Sequence, residues 1–322
     1  MNYSIFKLKF KTALHIGQDS GGSSLESSQS VIHADTLFSA LCHEGLVYNG
    51  VEGLNKIVSM FSEGRCLISD LFPYVDEELL LPKPILVVKR EEQRGLTGER
   101  KKMKNIKYIP SSDFTNYLAY LTGKVDYTPV EHDYGINEVR SAVAIYNGGD
   151  SDTFRIGTFV FAENVGLYFI AGWHEEEDYQ FLLKILKLLG KSGIGGKRSS
   201  GLGKFDVEEP ISLDSPFTEG QKLINNMLNS YNAEWQMCLS VAIPSEDEKE
   251  AIEDSSYSLI RRGGFVQSEN YSQTPLKKKV TYSFSPGSCF KKRFNGTILD
   301  VSNYGNHPVY RYGKPLFLGV DL

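Results

Sequence analysis

The chain has 322 residues, 41% of them hydrophobic and 23% charged, which is length enough for two domains that each bury a core. A formal net charge of −5 excludes a protein that coats nucleic acid indiscriminately. No apolar run approaches the roughly 20 residues of a membrane span and no signal-peptide pattern opens the sequence, so a cytoplasmic protein with no membrane partner is expected.

Residues 3–14 alternate, with Phe6, Leu8 and Phe10 on one face and Lys7, Lys9 and Lys11 on the other. That is the pattern of a half-buried strand with an exposed basic row. The row suits either the protection of a sheet edge or a surface turned toward RNA. Residues 15–24 read as a loop. Asp35 is expected to be the N-cap of a helix whose buried stripe is Leu37, Phe38, Leu41 and Leu46. Ahead of it, Ser27 and Ser28 belong to a hydroxyl-rich segment near a positive helix end, which can hold a phosphate. Simple capping would need only Asp35.

A second short helix is expected over 53–62, and extended chain over 67–81 and 84–88. The segment 89–107 is strongly basic and is expected to be a mobile excursion. A helix over 112–121 carries Phe114, Tyr117, Leu118 and Leu121 on one face, and 125–137 lacks periodicity. Strands at 154–162 and 166–173 flank a hairpin turn, so they are expected to pair. A helix over 181–189 ends at Gly190, and 205–211 reads as a strand.

Between that helix and strand lies Lys191-Ser-Gly-Ile-Gly-Gly-Lys-Arg-Ser-Ser-Gly-Leu-Gly-Lys204. Glycine frees the backbone for close approach, and amides, hydroxyls and cations together suit phosphate oxygens. Four cations within one connector exceed what a flexible linker needs. A nucleoside-triphosphate loop is excluded. Counted from Gly190, Gly196 stands where lysine should; counted back from Lys197, Lys191 replaces the first glycine and Arg198 the hydroxyl. The loop also follows a helix, which argues against the dinucleotide fingerprint. The cysteines Cys42, Cys66, Cys238 and Cys289 form no CxxC pair. Buried thiols are expected at Cys42 and Cys238, with no disulfide framework, zinc site or cofactor.

Strand, helix, two strands, helix, strand is the βαββαβ order of ferredoxin-like and RNA-recognition modules. The expected fold is therefore α+β, with two ferredoxin-like domains. The first spans 1–214, with an insertion over about 53–150 and the Gly-rich loop at 190–204. The second, over 215–322, is read as a degenerate copy: a short helix at 221–228, strands from 235, an acidic loop at 246–254, Arg261 and Arg262 beside Gly263 and Gly264, a basic connector at 277–279, and strands near 280–284 and 309–312.

Several stretches, in order along nearly the whole chain, resemble one family: the subunit-4 proteins of CRISPR type III-A (Csm) effector complexes, in the RAMP superfamily. They are His15-Ile-Gly, Leu25-Glu-Ser-Ser, Ile32-His-Ala-Asp-Thr-Leu-Phe-Ser-Ala-Leu41, Gly193-Ile-Gly-Gly-Lys-Arg-Ser-Ser-Gly-Leu-Gly203, Arg261-Arg-Gly-Gly-Phe265, Lys277-Lys-Lys-Val280 with Gly287-Ser288, and Val309-Tyr-Arg-Tyr-Gly313. The resemblance implies a subunit that caps the guide RNA at its repeat-derived 5′ tag. Its implied partners are that RNA, the large polymerase-like subunit and the first backbone RAMP subunit. By this likeness Gly193, Gly195, Gly196, Lys197, Arg198, Ser199 and Ser200 track the RNA backbone. His15, Ser27, Ser28, His33, Asp35, Thr36, Arg261 and Arg262 lie near the tag or a protein neighbour. The family often has a basic residue in the motif matched by 140–147, and Ile145-Tyr-Asn147 departs from it.

RAMP relatives include guide-processing ribonucleases, in which a histidine can serve as general base toward a 2′-OH. His15 and His33 are the candidates here, while His43, His132, His174 and His307 follow no pattern. The sequence offers no paired acid. Asp19 occupies an early loop comparable to the one that carries the metal-dependent aspartate of type III backbone subunits, but the surrounding resemblance is to a non-cutting subunit. A basic protein-interaction module without RNA would leave the Gly-rich loop unexplained. A non-catalytic RNA-binding subunit is the expectation.

Overall fold

The computed structural model describes residues 1–17, 25–88, 103, 105–145, 151–268 and 270–322. Asp19, nearly all of the basic 89–107 segment, and Tyr146 and Asn147 lie outside the described residues.

Strand β1 (Asn2–Phe10) leads into helix α1 (Ala34–Ser62), followed by β2 (Cys66–Ile68), β3 (Phe72–Val75), β4 (Glu78–Pro82), β5 (Tyr108–Pro110) and α2 (Phe114–Leu121). Next come β6 (Gly135–Ile145), β7 (Ser151–Phe161), β8 (Val165–Trp173), α3 (Glu176–Ser192), β9 (Phe205–Val207) and β10 (Ile211–Ser212). The chain continues through α4 (Glu219–Asn229), β11 (Trp235–Cys238), β12 (Leu259–Arg262), β13 (Thr281–Phe284), β14 (Cys289–Phe290), β15 (Thr297–Asp300), β16 (Tyr310–Gly313) and β17 (Phe317–Val320).

The main sheet is antiparallel in the order β10–β1–β8–β3–β4–β5, with β9 also on β1 and β2 also on β8. Alternation along β1 feeds two cores. Phe6 and Leu8 pack with Leu37, Phe38 and Leu41 of α1 and Leu182, Ile185 and Leu189 of α3. Tyr3 and Ile5 face the other way, against Met227 and Leu228 of α4 and Leu316 and Leu318 near the C-terminus. Each fully buried aliphatic or phenyl group of this kind contributes about 1.5–3 kcal/mol. The second core crosses residue 215, so the two halves of the chain share apolar packing.

The expected basic row is corrected. Lys7 shares the second face, is 3% exposed, and donates to Glu77 Oε2 at 2.8 Å and to the Asp76 carbonyl at 3.1 Å. Lys9 is exposed, and Lys11 pairs with Asp206 at 3.1 Å. The alternation was right, but the β3–β4 hairpin covers Lys7, with the centre of the Tyr74 ring 4.8 Å from its ammonium.

The pairing of 154–162 with 166–173 is also corrected. The chain turns at Asn164, whose φ is +58°, but β7 does not pair with β8. It pairs instead with β6 over eleven residues as a separate ribbon. Both edges of β8 are already taken, one by β1 and the other by β2 and β3. Residues 66–75, expected inside an insertion, thus occupy the strand position beside β8.

The two expected helices at 34–62 form one element, broken at Asn49 and Gly50, where φ and ψ leave the helical region. Helix α3 extends the expected 181–189 in both directions. Glu176, Glu177 and Asp178 complement the dipole in its first turn, and Gly193 ends it at φ +87°. In the second half, β14–β11–β17 form a three-stranded sheet, with ribbons β12–β13 and β15–β16 beside it. A 3₁₀ stretch, Glu246–Ile252, stands where the first helix of a second βαββαβ unit would be. Among the described residues no α-helix follows α4. Cys66, Cys238 and Cys289 are buried free thiols, and Cys42 is half-buried. No helix among the described residues is long and apolar enough to cross a membrane.

Candidate nucleic-acid interface

The Gly-rich loop is pinned rather than loose. Gly196 N–H donates to the His15 carbonyl at 2.8 Å, Gly203 N–H to the Ala13 carbonyl at 2.9 Å, and Ile194 N–H to the Gly203 carbonyl at 2.9 Å. Ile194 is fully buried. Gly203 sits at φ +74°, where an added Cβ would lie 1.9 Å from the Ile194 carbonyl oxygen, so only glycine fits. With Gly193 N–H on the Leu189 carbonyl and Gly201 N–H on the Arg198 carbonyl, four glycine amides are engaged inside the protein, and what the loop presents outward is mainly charge. Lys197 takes a left-handed backbone, φ +58°, at the start of the 3₁₀ turn Arg198–Ser200. Its ammonium lies 4.5 Å from the centre of the Phe154 ring on β7.

His15 and His33 are both fixed by Nδ1. The His15 Nδ1–H donates to the Gly157 carbonyl at 2.6 Å, which puts Nε2 on the side of the ring toward Gly196. His15 is 4% exposed and ties β7 to the loop. His33 precedes α1, and its Nδ1–H donates to Asp70 Oδ2. Asp70 is fully buried, and its Oδ1 accepts from Ala34 N–H at 2.8 Å and Val241 N–H at 2.9 Å. The helix start is therefore held by Asp70, not by an N-cap at Asp35. Asp35 lies inside the first turn, where Arg262 grips it through two bonds of 2.9 and 2.8 Å and also donates to Thr36 Oγ1 at 3.0 Å. Arg311 stands 3.8 Å from the same carboxylate and donates to the Arg262 and Gly263 carbonyls. Burial alone would raise the Asp35 carboxyl, but Arg262, His33 and Arg311 outweigh it and hold its pKa below the usual range.

These elements enclose a cleft of about 1290 Å³ between the Gly-rich loop, the start of α1 and β12–β13. It gathers His15, His33, Asp35, Thr36, Gly195, Gly196, Lys197, Arg198, Ser199, Arg261 and Arg262, which are far apart in the chain. Gly193, Ser200, Ser27 and Ser28 do not line it. Gly193 is the end of α3. Ser27 backs onto Gly157, and Ser28 bridges the Ile16 N–H and the Leu14 carbonyl, each at 3.1 Å. The cleft also takes in residues the sequence left unassigned: His43, Lys277, Lys278 and Arg311. Among the described residues that line the cleft, Lys197, Arg198, Arg261, Arg262, Lys277, Lys278 and Arg311 stand beside two carboxylates, Asp35 and Glu44. His43 registers that field. Burial, then Arg198, Lys278 and His307, hold its pKa below the ordinary value. Asp70 was missed because its partners are 37 and 171 residues away, whereas Lys277–Lys279 and Arg311 carried a signal in the basic connector and the Val309–Gly313 stretch.

The sequence pattern of the RAMP superfamily matches residues 7–206, and that of the CRISPR Csm4 C-terminal domain matches 231–320. The CRISPR system Cms protein Csm4 of Mycobacterium tuberculosis is 36% identical over 325 residues, covering 99% of this chain and 98% of that protein. The chain belongs to the Csm4 family of the RAMP superfamily. The Csm4 protein of Streptococcus thermophilus is 29% identical, with full coverage of both chains. The fold is similar to that in the crystal structure of a Csm3–Csm4 subcomplex of the type III-A CRISPR-Cas interference complex, at a TM-score of 0.65, 21% identity and 99% coverage of both chains. It is also similar to that in a Csm1–Csm4 cassette in complex with cA4, at a TM-score of 0.59, 19% identity, and coverage of 100% of this chain and 99% of that one.

Proposed function

We propose that the cleft holds the sugar–phosphate backbone of single-stranded RNA, and that the chain is a non-catalytic subunit capping the repeat-derived 5′ tag of a type III-A guide RNA in the cytoplasm. On this reading two ferredoxin-like units, 1–214 and 215–322, meet at the cleft, and other surfaces dock the large polymerase-like subunit and the backbone RAMP subunit. The observation that carries the reading is the cleft itself: seven Lys/Arg side chains drawn from four separate segments converge on one groove in a chain of net charge −5. Phosphate contacts position a strand and make its binding depend on salt. Family membership supports the assignment, as does the pairing of relatives with Csm3 and with Csm1 in the crystal structures.

The test is binding of the full chain to labelled tag RNA across a salt series. Lys197→Ala with Arg198→Ala should weaken binding about tenfold and reduce the log–log salt slope by about 1.4, since each of the two phosphate contacts on a single strand contributes roughly 0.7. Unchanged affinity and slope would sink the reading. A second reading rests on His33, whose imidazole is oriented by a buried carboxylate as a general base would be. Cleavage of the tag RNA, lost in His33→Ala, would favour a guide-processing ribonuclease instead; intact RNA favours the cap.

A further inference from the structure

The two carboxylates of the cleft are not alike. Arg262 takes both oxygens of Asp35, which commits that group to the protein. Glu44 lines the same cleft and is 6% exposed, yet among the described residues no hydrogen bond or ion pair holds it. A buried carboxylate is costly unless something donates to it, and when ionised it can only accept. Glu44 is thus an acceptor without a donor, in a groove whose cations suit a ligand rich in acceptors. Thr36, Ala40, His43, Glu44 and Val47 line the cleft from one stripe of α1, so the helix runs along the groove. The cations come from other segments, Lys197 and Arg198 on the Gly-rich loop and Lys277 and Lys278 in the connector before β13.

Inside an RNA strand the backbone has one hydrogen-bond donor, the ribose 2′-OH, while its phosphate oxygens only accept. Acidic side chains take ribose hydroxyls in the same way in dinucleotide sites. We propose that Glu44 accepts a hydrogen bond from one ribose 2′-OH of the strand held in the cleft, which makes it the residue that distinguishes RNA from DNA there. The proposal rests on the RNA-binding reading above. A deoxyribose at that position leaves the carboxylate buried and unpaired beside the phosphates, so DNA is opposed as well as unassisted. The selection acts on the sugar, whatever base it carries.

The test uses the full chain and tag RNAs that carry a single 2′-deoxyribose, moved one position at a time, beside a DNA strand of the same sequence. One position should lose about tenfold in affinity, the low end for a hydrogen bond to a charged group, while its neighbours change less than about twofold. Glu44→Ala should erase that step and strengthen binding of the DNA strand, because a negative charge leaves the groove. Glu44→Gln keeps the shape and one acceptor oxygen, so it should retain part of the step. Lys197→Ala with Arg198→Ala should weaken every strand by one common factor and keep the step. A uniform deoxyribose profile, or a step that survives Glu44→Ala, overturns the role of Glu44 while leaving the phosphate cleft standing. Binding insensitive to salt and to the Lys197/Arg198 pair, or no binding to any of these strands, overturns both.

Discussion

Asp70 is the joint on which the cleft depends, and its removal gives a sharp test. Its Oδ1 accepts from the buried amides of Ala34 and Val241, which lie in different halves of the chain, and its Oδ2 accepts from His33. Asp70→Ala leaves two buried N–H groups without an acceptor, at about 1–3 kcal/mol each, so with the lost imidazole bond the total is about 4 kcal/mol. Asp70→Asn keeps an oxygen for both amides. Its NH₂ then faces His33, which can carry its proton on Nε2 and accept at Nδ1, so the loss is only about 1 kcal/mol. At roughly 2–4 °C per kcal/mol for a chain of this class, the melting temperature should fall by about 10 °C in the alanine variant and about 3 °C in the asparagine variant. Thermal unfolding at one scan rate measures both, and ring NMR should show the His33 tautomer change only in Asp70→Asn. If the two variants melt within about 2 °C of each other, the amide joint is not what Asp70 supplies.

Other expectations follow from the same geometry. Asp35 has a depressed folded pKa, so its link to Arg262 is fully present above the unfolded value of about 3.9 and is lost as pH falls through the lower folded one. The stability gap between wild type and Asp35→Asn, about 3 kcal/mol, should stay flat from about pH 5 to 8 and shrink below about pH 4; a gap that widens on acidification contradicts the ion pair. Gly201 has φ +82° but open space, whereas Gly203 has φ +74° and the Ile194 carbonyl where a Cβ would go. Gly201→Ala should therefore lose about 1–2 kcal/mol and Gly203→Ala clearly more, with equal losses counting against a pinned loop. The His43 pKa is held down by burial and then by Arg198, Lys278 and His307, so phosphates entering beside those cations should raise it. Ring-proton titration with and without tag RNA reads the change, and an unmoved His43 would place the RNA elsewhere.

What the sequence made legible was local. Periodicity found α3 from Leu182, Ile185 and Leu189, the alternation of β1, and the helix carrying Phe114 and Tyr117. Motif composition picked out both walls of the cleft, the loop at 193–200 and Arg261 with Arg262, before anything brought them together. What it missed depends on pairing at a distance. Nothing in Lys7-Leu-Lys9 says that one lysine is covered by Tyr74, Asp76 and Glu77, about 70 residues away, and nothing at 154–173 says that both edges of β8 are taken by strands from elsewhere. Asp35 shows the limit most directly. An acidic residue at a helix start reads equally well as an N-cap or as a first-turn charge, and only Arg262, 227 residues later, decides between them.

The same distinction explains how a chain of net charge −5 builds so positive a groove. Its acidic clusters are committed to local structure on other elements. Glu176, Glu177 and Asp178 sit in the first turn of α3, with Asp178 bonded to Arg65 and Glu177 to Lys56. Glu248 closes a capping box with Ser245 and accepts from the Asn295 and Gly296 amides. Carboxylates engaged this way stabilise helix starts and turns and do not line the cleft, so its cations keep their field. Net charge then governs solubility and the rejection of nonspecific nucleic acid, while the local excess of cations governs what enters the groove. Reversing one cluster, as in Glu248→Lys, should disturb the turn at Asn295 and Gly296 and leave the salt slope of RNA binding where it was.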